Sequence, residues 1–536
     1  MGKENFSTQR LDHLGIVAGI CCQIGLIQEI DVIVGPTGRK VTVGESVQAM
    51  VLNALGFVGR TLYLTPEFFS NKPVDILIGE DLKGEDLNDD SLGRALDILY
   101  EVGLTEIFAR VACHALDIFE IGHRFHHLDS TTFSFHGEYA SSKDSQAVVV
   151  NHGHSKDQRP DLKQVLVSLI CTYRSSIPVW LEALDGNSSD KKTFPKIIQA
   201  YVDQMRESES AYFIADSALY SAKNLKELSE IFWLCRVPET VKEAKEFCQR
   251  IEPSQMQSSK DEGYCYLEIG SSYGGVSQRW LLVFSRAAYQ REISTFEKRV
   301  AKEKQKAEKE LWHLSNQEFE STEEAEQAMS SLQWRFHWCE FKLEEVYHYQ
   351  RRGHPKGEPD RVAWKVKGKV VEDQEAILRA LSSKGKFVLA TNQLDKDSLP
   401  PQKMLEAYKG QGVSVERGFR FLKDPLFFAS GLFLEKPERI MALLMIMGLA
   451  LLVYALAEHK LRRELIEKEE TVPNQVGKPT QRPTMRRVFQ VFEGIDVLLI
   501  AEPLGPTRLV LNLKPIHYKI LNLLGPEIRK CYFLNQ

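Results

Sequence analysis

RFHHLDSTTFSFHG (residues 124–137) and YFIADSALYSAKNL (residues 212–225) are the stretches that decide the fold. In each, a run of apolar, strand-forming residues is followed directly by an aspartate, Asp129 in the first and Asp216 in the second. The second stretch leads into a helix-like SAKNLKELSE and then a strand-like IFWLCRVP. Strand, helix and strand at this spacing predict an α/β fold, in which strand ends border a ligand-binding crevice.

The rest of the chain shows several different patterns of predicted helices and strands. Residues 1–120 are typical of helices, with one short hairpin predicted at VIVGPTGRKVTVG and a helix capped at Asp90-Ser91. After residue 124, short strands including TTFSFHG, AVVVNHG and QVLVSLICTY suggest a meander. Between about 240 and 400, strands surround two charged helices, and a long helical region from 402 to 469 precedes a polar linker.

Composition limits the class of protein. The chain has 536 residues, 43% hydrophobic and 26% charged, as expected for a soluble protein of several domains. Its net charge of -5 gives no overall attraction to nucleic acid, so any such contact must use local basic patches. Nine cysteines without a Cys-x-x-Cys pair indicate neither a disulfide framework nor a zinc site, and no signal peptide is apparent. A reducing cytoplasm is therefore expected.

One segment raises the question of a membrane. Residues 440–457 are eighteen residues without a charge, at the lower limit for crossing a bilayer. A helical pattern continues on both sides of the segment, and no second apolar span is evident. We therefore favour a buried core helix over a transmembrane helix and expect no membrane partner.

Three acidic residues are candidates for metal chemistry, although spacing alone favours simpler roles. Asp129 and Asp216 each end a predicted strand, where aspartate commonly serves turns and caps. Glu416, Arg420 and Lys423 share a predicted helical face, since they lie at i, i+4 and i+7. A solvated ion pair is the simpler interpretation of that face. The alternative is a metal ligand beside phosphate-binding cations.

Several histidines precede Asp129, among them His123, His126 and His127. Neighbouring residues of a strand point to opposite faces, so His126 and His127 are not expected to bind one metal ion. Structural roles are the favoured interpretation.

Six stretches in order resemble the DDE transposases of bacterial insertion sequences. They are HHLDSTTFSFHGEY, NHGHSKDQRPDLKQ, GNSSD, YFIADSALYSAKNL, FVLATN and YKGQGVSVERGFRFLKDPLFF, and they run from about residue 120 to 430. They are most similar to the subgroup whose catalytic Glu lies in a Tyr, Arg, Glu, Lys signature after a large insert. Tyr408 lies one residue farther from Glu416 than that signature expects, and Gln411 stands near the usual Arg.

The resemblance implies an RNase H-like catalytic core in which Asp129, Asp216 and Glu416 hold two Mg²⁺ ions, with Mn²⁺ as a substitute. It also implies an organisation in five parts: a mainly helical, DNA end-binding domain (1–120), the first part of the core (121–239), a β-rich insert with a helical hairpin (240–400), the Glu-bearing part of the core (401–470), and a linker with a C-terminal segment (471–536).

Basic residues in three places are the implied DNA contacts. Lys423 matches the signature lysine, and the loop GHSKDQRPD (153–161) would face DNA near the active site. RRGHPKG resembles an Arg-Gly-Arg-Pro minor-groove hook. A solvated loop and a solvated turn are the alternatives for the last two. The candidate DNA-binding residues are Lys423, Arg420, Tyr408, Lys156, Arg159, Arg351, Arg352 and Lys356.

The function implied is that of a transposase, which binds terminal inverted repeats, cuts both ends and joins them to target DNA. Its partners would be double-stranded DNA of the ends and the target, and pairing two ends implies at least a dimer. It would work in the bacterial cytoplasm, associated with the nucleoid when bound to DNA. A metal-dependent nuclease without strand transfer remains an alternative, as does a non-catalytic DNA-binding descendant, although the presence of all three acids argues against the latter.

Overall fold

The computed structural model describes residues 6–56, 62–122, 124–137, 139, 147–205, 211–341, 347–348, 361–362, 364–424, 434, 436–501 and 507–533. The chain forms two compact units, one of residues 1–235 and 405–536, the other of residues 236–404. Both helices and strands contribute, so the predicted mixed α/β class is confirmed.

The N-terminal part of the first unit is mainly helical, as predicted. Its elements are β1 (Phe6–Arg10), α1 (Leu14–Gln23), α2 (Leu26–Val34), α3 (Val43–Leu55), α4 (Thr65–Phe69), α5 (Val74–Leu77), α6 (Asp89–Val102) and α7 (Leu104–Phe119).

The hairpin predicted at VIVGPTGRKVTVG is wrong. Helix α2 runs through Val34 and ends at Gly35, whose φ of 76° is a conformation that favours glycine. Helix α3 begins after Thr42, which forms a reciprocal capping box with Glu45. The cap of α6 is Asn88, two residues before the predicted position. Turn-forming residues between two helices were thus mistaken for a turn between strands.

The central sheet of the first unit is formed by β2 (Phe125–Phe135), β3 (Lys163–Thr172), β4 (Pro178–Asp185), β5 (Tyr212–Ala215) and β6 (Phe232–Arg236), with α8 (Asp190–Met205) and α9 (Ala222–Glu227) between strands. The strand order is β4-β3-β2-β5-β6. Strands β2, β3 and β4 form an antiparallel meander, of which β2 and β3 lie in predicted strand segments and β4 was not predicted, whereas β2, β5 and β6 run parallel. The strand–helix–strand unit predicted after Tyr212 is confirmed.

Two details of this sheet correct the sequence-based expectation. The segments RFHHLD and TTFSFHG are one continuous strand, β2, so Asp129 lies within a strand rather than at its end. Its antiparallel pairing with β3 continues without a break from His126 to Phe135. The segment AVVVNHG is not a strand; only an isolated bridge joins Asn151 to Gln164.

The second unit contains an antiparallel sheet and a pair of long helices. Its elements are α10 (Lys242–Arg250), β7 (Gln257–Ser258), β8 (Tyr264–Tyr273), β9 (Val276–Ser285), α11 (Arg286–Ser315), α12 (Thr322–Arg335), β10 (Cys339–Glu340), β11 (Tyr347–His348), β12 (Arg361–Val362), β13 (Val371–Glu372), α13 (Gln374–Leu381) and β14 (Lys386–Thr391). Strands β14, β9, β8 and β7 are neighbours in that order. The helices predicted from apolar spacing are α11 and α12, which bury Ala307, Leu311, Ala325 and Leu332 in one cluster.

The chain continues mainly as helices. The elements are α14 (Pro401–Lys409), α15 (Gln411–Leu422), α16 (Pro437–Glu467), β15 (Val472–Pro473), β16 (Pro479–Thr480), α17 (Met485–Val491), β17 (Asp496–Ile500), β18 (Thr507–Leu511), α18 (Pro515–Leu524) and α19 (Pro526–Lys530). Strand β17 lies between β1 and β18, so the C-terminal segment pairs with the start of the chain.

Helix α16 contains the apolar segment of residues 440–457. It is long and apolar enough to cross a membrane, with a mean hydropathy of 2.6 over its best window, but 83% of that window is buried within the protein. A methyl group added at Gly448 would lie 2.5 Å from Leu181 and 2.9 Å from Phe108. This packing confirms the core-helix interpretation. Helices α1 and α2, which are bent by 53° at the break between them, are together also long and apolar enough for one such span.

Candidate active site

Asp129 and Asp216 are placed together by the pairing of two parallel strands. In β2 and β5, His127 is the partner of Ile214. Continuing this register by two residues on each strand brings Asp129 level with Asp216, directly beyond the last residue of β5. Adjacent strands are about 4.8 Å apart, and residues in register point to the same face. The two carboxylates therefore lie side by side where the parallel part of the sheet ends.

Backbone amides orient both carboxylates. The amide of Ser130 donates to Oδ1 of Asp129 at 2.7 Å, and the amide of Ala218 donates to Oδ1 of Asp216 at 2.8 Å. Each aspartate thus accepts a hydrogen bond on one oxygen, which fixes its side chain. The other oxygen of each carboxylate receives no bond from these amides.

The acids destabilise one another's ionised forms. Burial raises the pKa of Asp129 to about 6, and the carboxylates of Asp216 and Asp190 add to this, while Lys156 and the Ser130 amide oppose it. Burial also raises the pKa of Asp216, with a further contribution from Asp190. Burial, with smaller contributions from neighbouring carboxylates, therefore disfavours the ionised form of both aspartates. Such a site favours the arrival of a cation.

Lys156 provides the nearest positive charge. Its Nζ lies 3.6 Å from Oδ1 of Asp129 and 2.9 Å from Oδ2 of Asp190, and it donates to the Ser130 carbonyl oxygen at 2.6 Å. Asp190 is the first residue of α8 and also accepts a hydrogen bond from the Ser130 hydroxyl. One ammonium group thus lies between two carboxylates of the acidic group.

Helix α15, which contains Glu416, packs over the same face of the sheet as Asp129. His127, two residues before Asp129 on β2, shares its face; its ring contacts the Ser414 hydroxyl of α15 and, at 2.8 Å, the carbonyl oxygen of Ala407. A methyl group added at Gly418 would lie 3.1 Å from Leu169, the residue that pairs with Asp129 across β2 and β3. Glu416 itself is exposed, and because it is two residues from each of these contact points, it lies on the side of α15 that faces away from the sheet.

Within the described residues, no group of three or more His, Cys, Asp or Glu side chains is gathered closely enough to hold a metal ion. The donor chemistry nevertheless fits a divalent cation: Asp129 and Asp216 are adjacent hard oxygen ligands with raised pKa values. The structure thus places the two aspartates at one level of neighbouring strands, but among the described residues Glu416 does not join them in a group of three.

The predicted DNA-binding residues fall into separate environments. Lys423, at the end of α15, lies 2.7 Å from both carboxylate oxygens of Asp157. Arg159 pairs with Asp161 at 2.7 Å within one loop, Arg420 is exposed on α15, and Tyr408 is half-buried on α14. Arg351, Arg352 and Lys356 lie outside the described residues.

The histidines before Asp129 have structural contacts. His126 is buried with Nε2 3.0 Å from the Tyr201 hydroxyl, and it stacks on Phe213. His127 is buried on the other face, and burial lowers its pKa to about 4, so it is neutral near pH 7. Opposite orientations were predicted and are confirmed. His123 lies outside the described residues.

Sequence reasoning missed two acids of this region. Asp190 belongs to the GNSSD stretch, whose polar residues precede a helix; an acid in the first turn of a helix was a usable signal. Asp157 lies in the loop assigned to DNA contact, but its pairing with Lys423, 266 residues away in sequence, left no local signal.

Two family profiles match the chain. The family profile described as Transposase DDE domain matches residues 122–453, and one described as a domain of unknown function (DUF4277) matches residues 6–113. No curated protein matches the chain. A cryo-EM structure of the piggyBac transposase synaptic complex with hairpin DNA is similar at a TM-score of 0.38 and 9% identity, covering 91% of this chain and 82% of that one. Because the first match spans more than half of the chain and contains Asp129, Asp216 and Glu416, the chain belongs to the transposase DDE domain family.

Proposed function

We propose that the protein is the transposase of a bacterial insertion sequence. It binds the element's terminal inverted repeats, cleaves the DNA there and joins the released ends to target DNA. In this proposal the sheet of β2–β6 and helix α15 form an RNase H-like core, from residues 121–239 and 401–470, and residues 240–400 are an insert in it. The compact unit of residues 236–404 supports that division.

The observation that carries the proposal is the pairing of Asp129 with Asp216. Two half-buried carboxylates lie at one level of adjacent parallel strands, and both keep raised pKa values although Lys156 opposes the shift, so the site suits a further cation. They lie in a chain whose family profile is that of a DDE transposase domain. Purely structural roles for both acids would not explain why the fold keeps two carboxylates in surroundings that raise their pKa values.

Asp129, Asp216 and Glu416 are the proposed ligands of two Mg²⁺ ions, for which Mn²⁺ can substitute. Bound there, the ions would activate the attacking oxygen and stabilise the leaving oxygen at a phosphodiester. The protein's own contribution is positioning. The amides of Ser130 and Ala218 orient the aspartates, and the packing of Gly418 on Leu169 holds α15 close to the sheet. Glu416 must approach the aspartates to complete the ligand set.

The reaction proposed has two phosphoryl-transfer steps. Water attacks a phosphorus atom at the transposon end, the bond to the 3′ oxygen breaks, and a 3′-OH and a 5′-phosphate result. The 3′-OH then attacks a phosphorus atom of target DNA and displaces the target's own 3′ oxygen. No covalent bond to the protein is required.

DNA contacts are proposed for the basic residues near this site and for the N-terminal domain. The mainly helical domain of residues 1–120 would recognise the inverted repeats, and two subunits would pair two ends. The working location would be the bacterial cytoplasm, with the protein on the nucleoid when bound to DNA. The phosphate-contacting residues proposed are Lys423, Arg420, Tyr408, Lys156, Arg159, Arg351, Arg352 and Lys356.

The test uses a DNA fragment that ends in the inverted repeats flanking the coding region. The purified full chain is incubated with this labelled fragment, a target plasmid and Mg²⁺. Joined products, with short direct duplications at the insertion site, are expected. Cleaved products that never join would replace the proposal with that of a nuclease, and binding without cleavage would replace it with that of a non-catalytic DNA-binding protein.

A further inference from the structure

Two adjacent residues of one loop, Lys156 and Asp157, bind the two oppositely charged parts of the candidate site. The loop lies between the Asn151 bridge and the start of β3 at Lys163. Lys156 contacts Asp129 and Asp190, whereas its neighbour Asp157 contacts Lys423. This arrangement differs from that of Arg159 and Asp161 in the same loop, which pair with each other.

The Lys156 ammonium group lies among the acids, where a bound metal ion would also lie. Its Nζ contacts Asp129 at 3.6 Å and Asp190 at 2.9 Å, and the Ser130 carbonyl oxygen at 2.6 Å and hydroxyl oxygen at 2.8 Å. Carboxylate, carbonyl and hydroxyl oxygens are also the donors that a hard divalent cation takes. The ammonium group and a metal ion would compete for the same charge.

The Asp157 carboxylate contacts Lys423 where a DNA phosphate would also bind. Both of its carboxylate oxygens lie 2.7 Å from Nζ of Lys423, and the Thr132 hydroxyl lies 3.4 Å from Oδ2 of Asp157. The Lys423 ammonium also lies 6.0 Å from the centre of the Phe133 ring. Lys423 is the residue proposed to contact a DNA phosphate. A phosphate group would present to it the same pair of oxygens that Asp157 presents now.

The residue that follows these two, Gln158, has an uncommon backbone conformation. Gln158, the next residue, has a φ of 58°, a left-handed conformation that is uncommon for residues other than glycine. The backbone thus turns sharply immediately after the two charged residues. Their side chains are 31% and 40% exposed, so solvent ions and DNA can reach both pairs.

We propose that Lys156 and Asp157 form a latch that occupies the active site until its ligands arrive. Lys156 stands in for the metal ion, and Asp157 stands in for the DNA phosphate. Metal binding displaces Lys156, DNA binding displaces Asp157, and both events release the same loop. Lys156 is then free to contact DNA. This inference rests on the proposed function, because it takes Asp129 as a metal ligand and Lys423 as a phosphate contact.

The first arm of the test measures metal binding without DNA. Mn²⁺ is titrated calorimetrically into the full chain and into Lys156→Gln. The variant is expected to bind Mn²⁺ at least about fivefold more tightly, because a competing positive charge has been removed. Lys192→Gln is the matched control: Lys192 is an exposed lysine two residues from Asp190. Equal affinities in wild type and Lys156→Gln would overturn the proposal, as would equal gains in both variants.

The second arm measures DNA binding without metal. The affinity for duplex DNA carrying the inverted repeat is measured in EDTA for wild type, Asp157→Asn and Asp203→Asn. Both substitutions remove one negative charge, but only Asp157 contacts Lys423. Because Asp161 pairs with Arg159, another proposed phosphate contact, Asp203→Asn serves as the control: Asp203 is exposed and accepts a hydrogen bond from Gln199. Asp157→Asn is expected to bind at least about threefold more tightly than Asp203→Asn. Equal affinities of Asp157→Asn and Asp203→Asn would overturn the proposal.

Thermal melting of each variant keeps these results interpretable, since a variant that melts near wild type is folded. The two arms are also independent of strand transfer. If wild type joins ends to target but neither arm shows the expected difference, the latch is wrong and the proposed function stands. If wild type never cleaves or joins DNA, the proposed function fails whatever the binding arms show.

Discussion

Glu458 of α16 pairs with Arg417, the residue that follows Glu416 in α15. The Glu458 side chain is only 6% exposed; it also forms an ion pair with the Arg462 guanidinium, at 2.8 Å, and accepts a hydrogen bond from the Met485 amide, at 3.2 Å. A buried carboxylate shared by two arginines thus joins the Glu416-bearing helix to the central helix of the unit. The position of Glu416 depends on this junction.

Replacing Glu458 should therefore destabilise the fold. Glu458→Ala leaves Arg417 and Arg462 without their buried partner, and we expect a loss of about 3–5 kcal/mol in the free energy of unfolding. Denaturant titration of the full chain measures it. Glu467→Ala, at the exposed end of the same helix, should change the free energy by no more than about 0.5 kcal/mol. Equal effects of the two substitutions would contradict the assignment.

Asp129→Asn should stabilise the protein while removing its proposed activity. The folded-state pKa of Asp129 is raised from 3.8 to about 6, so the folded protein prefers the protonated acid. The stabilisation that the protonated Asp129 side chain gives the folded protein is present below about pH 4 and is lost as pH rises through about 6. Near pH 7 the ionised side chain costs up to about 3 kcal/mol, which Asn does not incur. The melting temperature of the variant relative to wild type should therefore rise between pH 4 and pH 7.

The melting temperature of Asp129→Asn minus that of wild type could instead fall with increasing pH, or the variant could be less stable than wild type near pH 7. Either result would show that Asp129 is a stabilising ion-pair partner of Lys156. Added Mn²⁺ should raise the melting temperature of wild type and leave that of Asp129→Asn nearly unchanged, since the variant has lost a ligand.

Glu416→Gln should differ from Asp129→Asn in its effect on stability. Glu416 is exposed, so the substitution should change the free energy of unfolding by no more than about 0.5 kcal/mol. Cleavage of transposon ends should nevertheless be lost, because the third metal ligand is gone. Glu227→Gln, an exposed glutamate that pairs with Lys223 on α9, should cleave like wild type. Full cleavage by Glu416→Gln would remove Glu416 from the ligand set.

Lys423→Ala should weaken DNA binding uniformly across sequences. A lysine that contacts a phosphate carries no base information, so affinity for repeat and random duplexes should fall by similar factors. The slope of log affinity against log salt should decrease by about 1. Lys519→Ala, which removes a lysine paired with Glu470 on α18, should leave the slope unchanged. A selective loss of affinity for the inverted repeat would instead assign Lys423 to base recognition.

Much of the secondary structure could be predicted because its signals are local. Helices α11 and α12 followed from apolar spacing, and the strand–helix–strand unit after Tyr212 followed from alternating composition. The apolar segment of α16 was correctly interpreted as part of a core helix, since a helical pattern continues on both sides of it and most of it is buried.

The errors arose where long-range pairing decides the structure. Asp129 was expected to end a strand, but β2 continues past it because every residue from His126 to Phe135 has a partner on β3. The expectation of an aspartate at a strand end holds for Asp216, because β5 ends at Ala215. The pairing of β1 with β17 joins residues almost 500 positions apart, and no local pattern marks it.

The candidate site was predicted in part. The aspartate pair followed from resemblance rather than from spacing, which favoured turn roles for both acids. Asp190 and Asp157 were missed because each acts through a contact with a distant element: Ser130 for Asp190, and Lys423 for Asp157. Electrostatic pairs of this kind form only when the chain folds.

The central claim is that Asp129, Asp216 and Glu416 together support strand transfer, and joining of pre-cut ends tests it most directly. Labelled transposon ends with an exposed 3′-OH are mixed with target plasmid and Mg²⁺, using wild type, Asp129→Asn, Asp216→Asn and Glu416→Gln. Wild type should join the ends, while each variant should bind them with wild-type affinity and yield no joined product. Full joining by any one variant, or none by wild type, would contradict the claim.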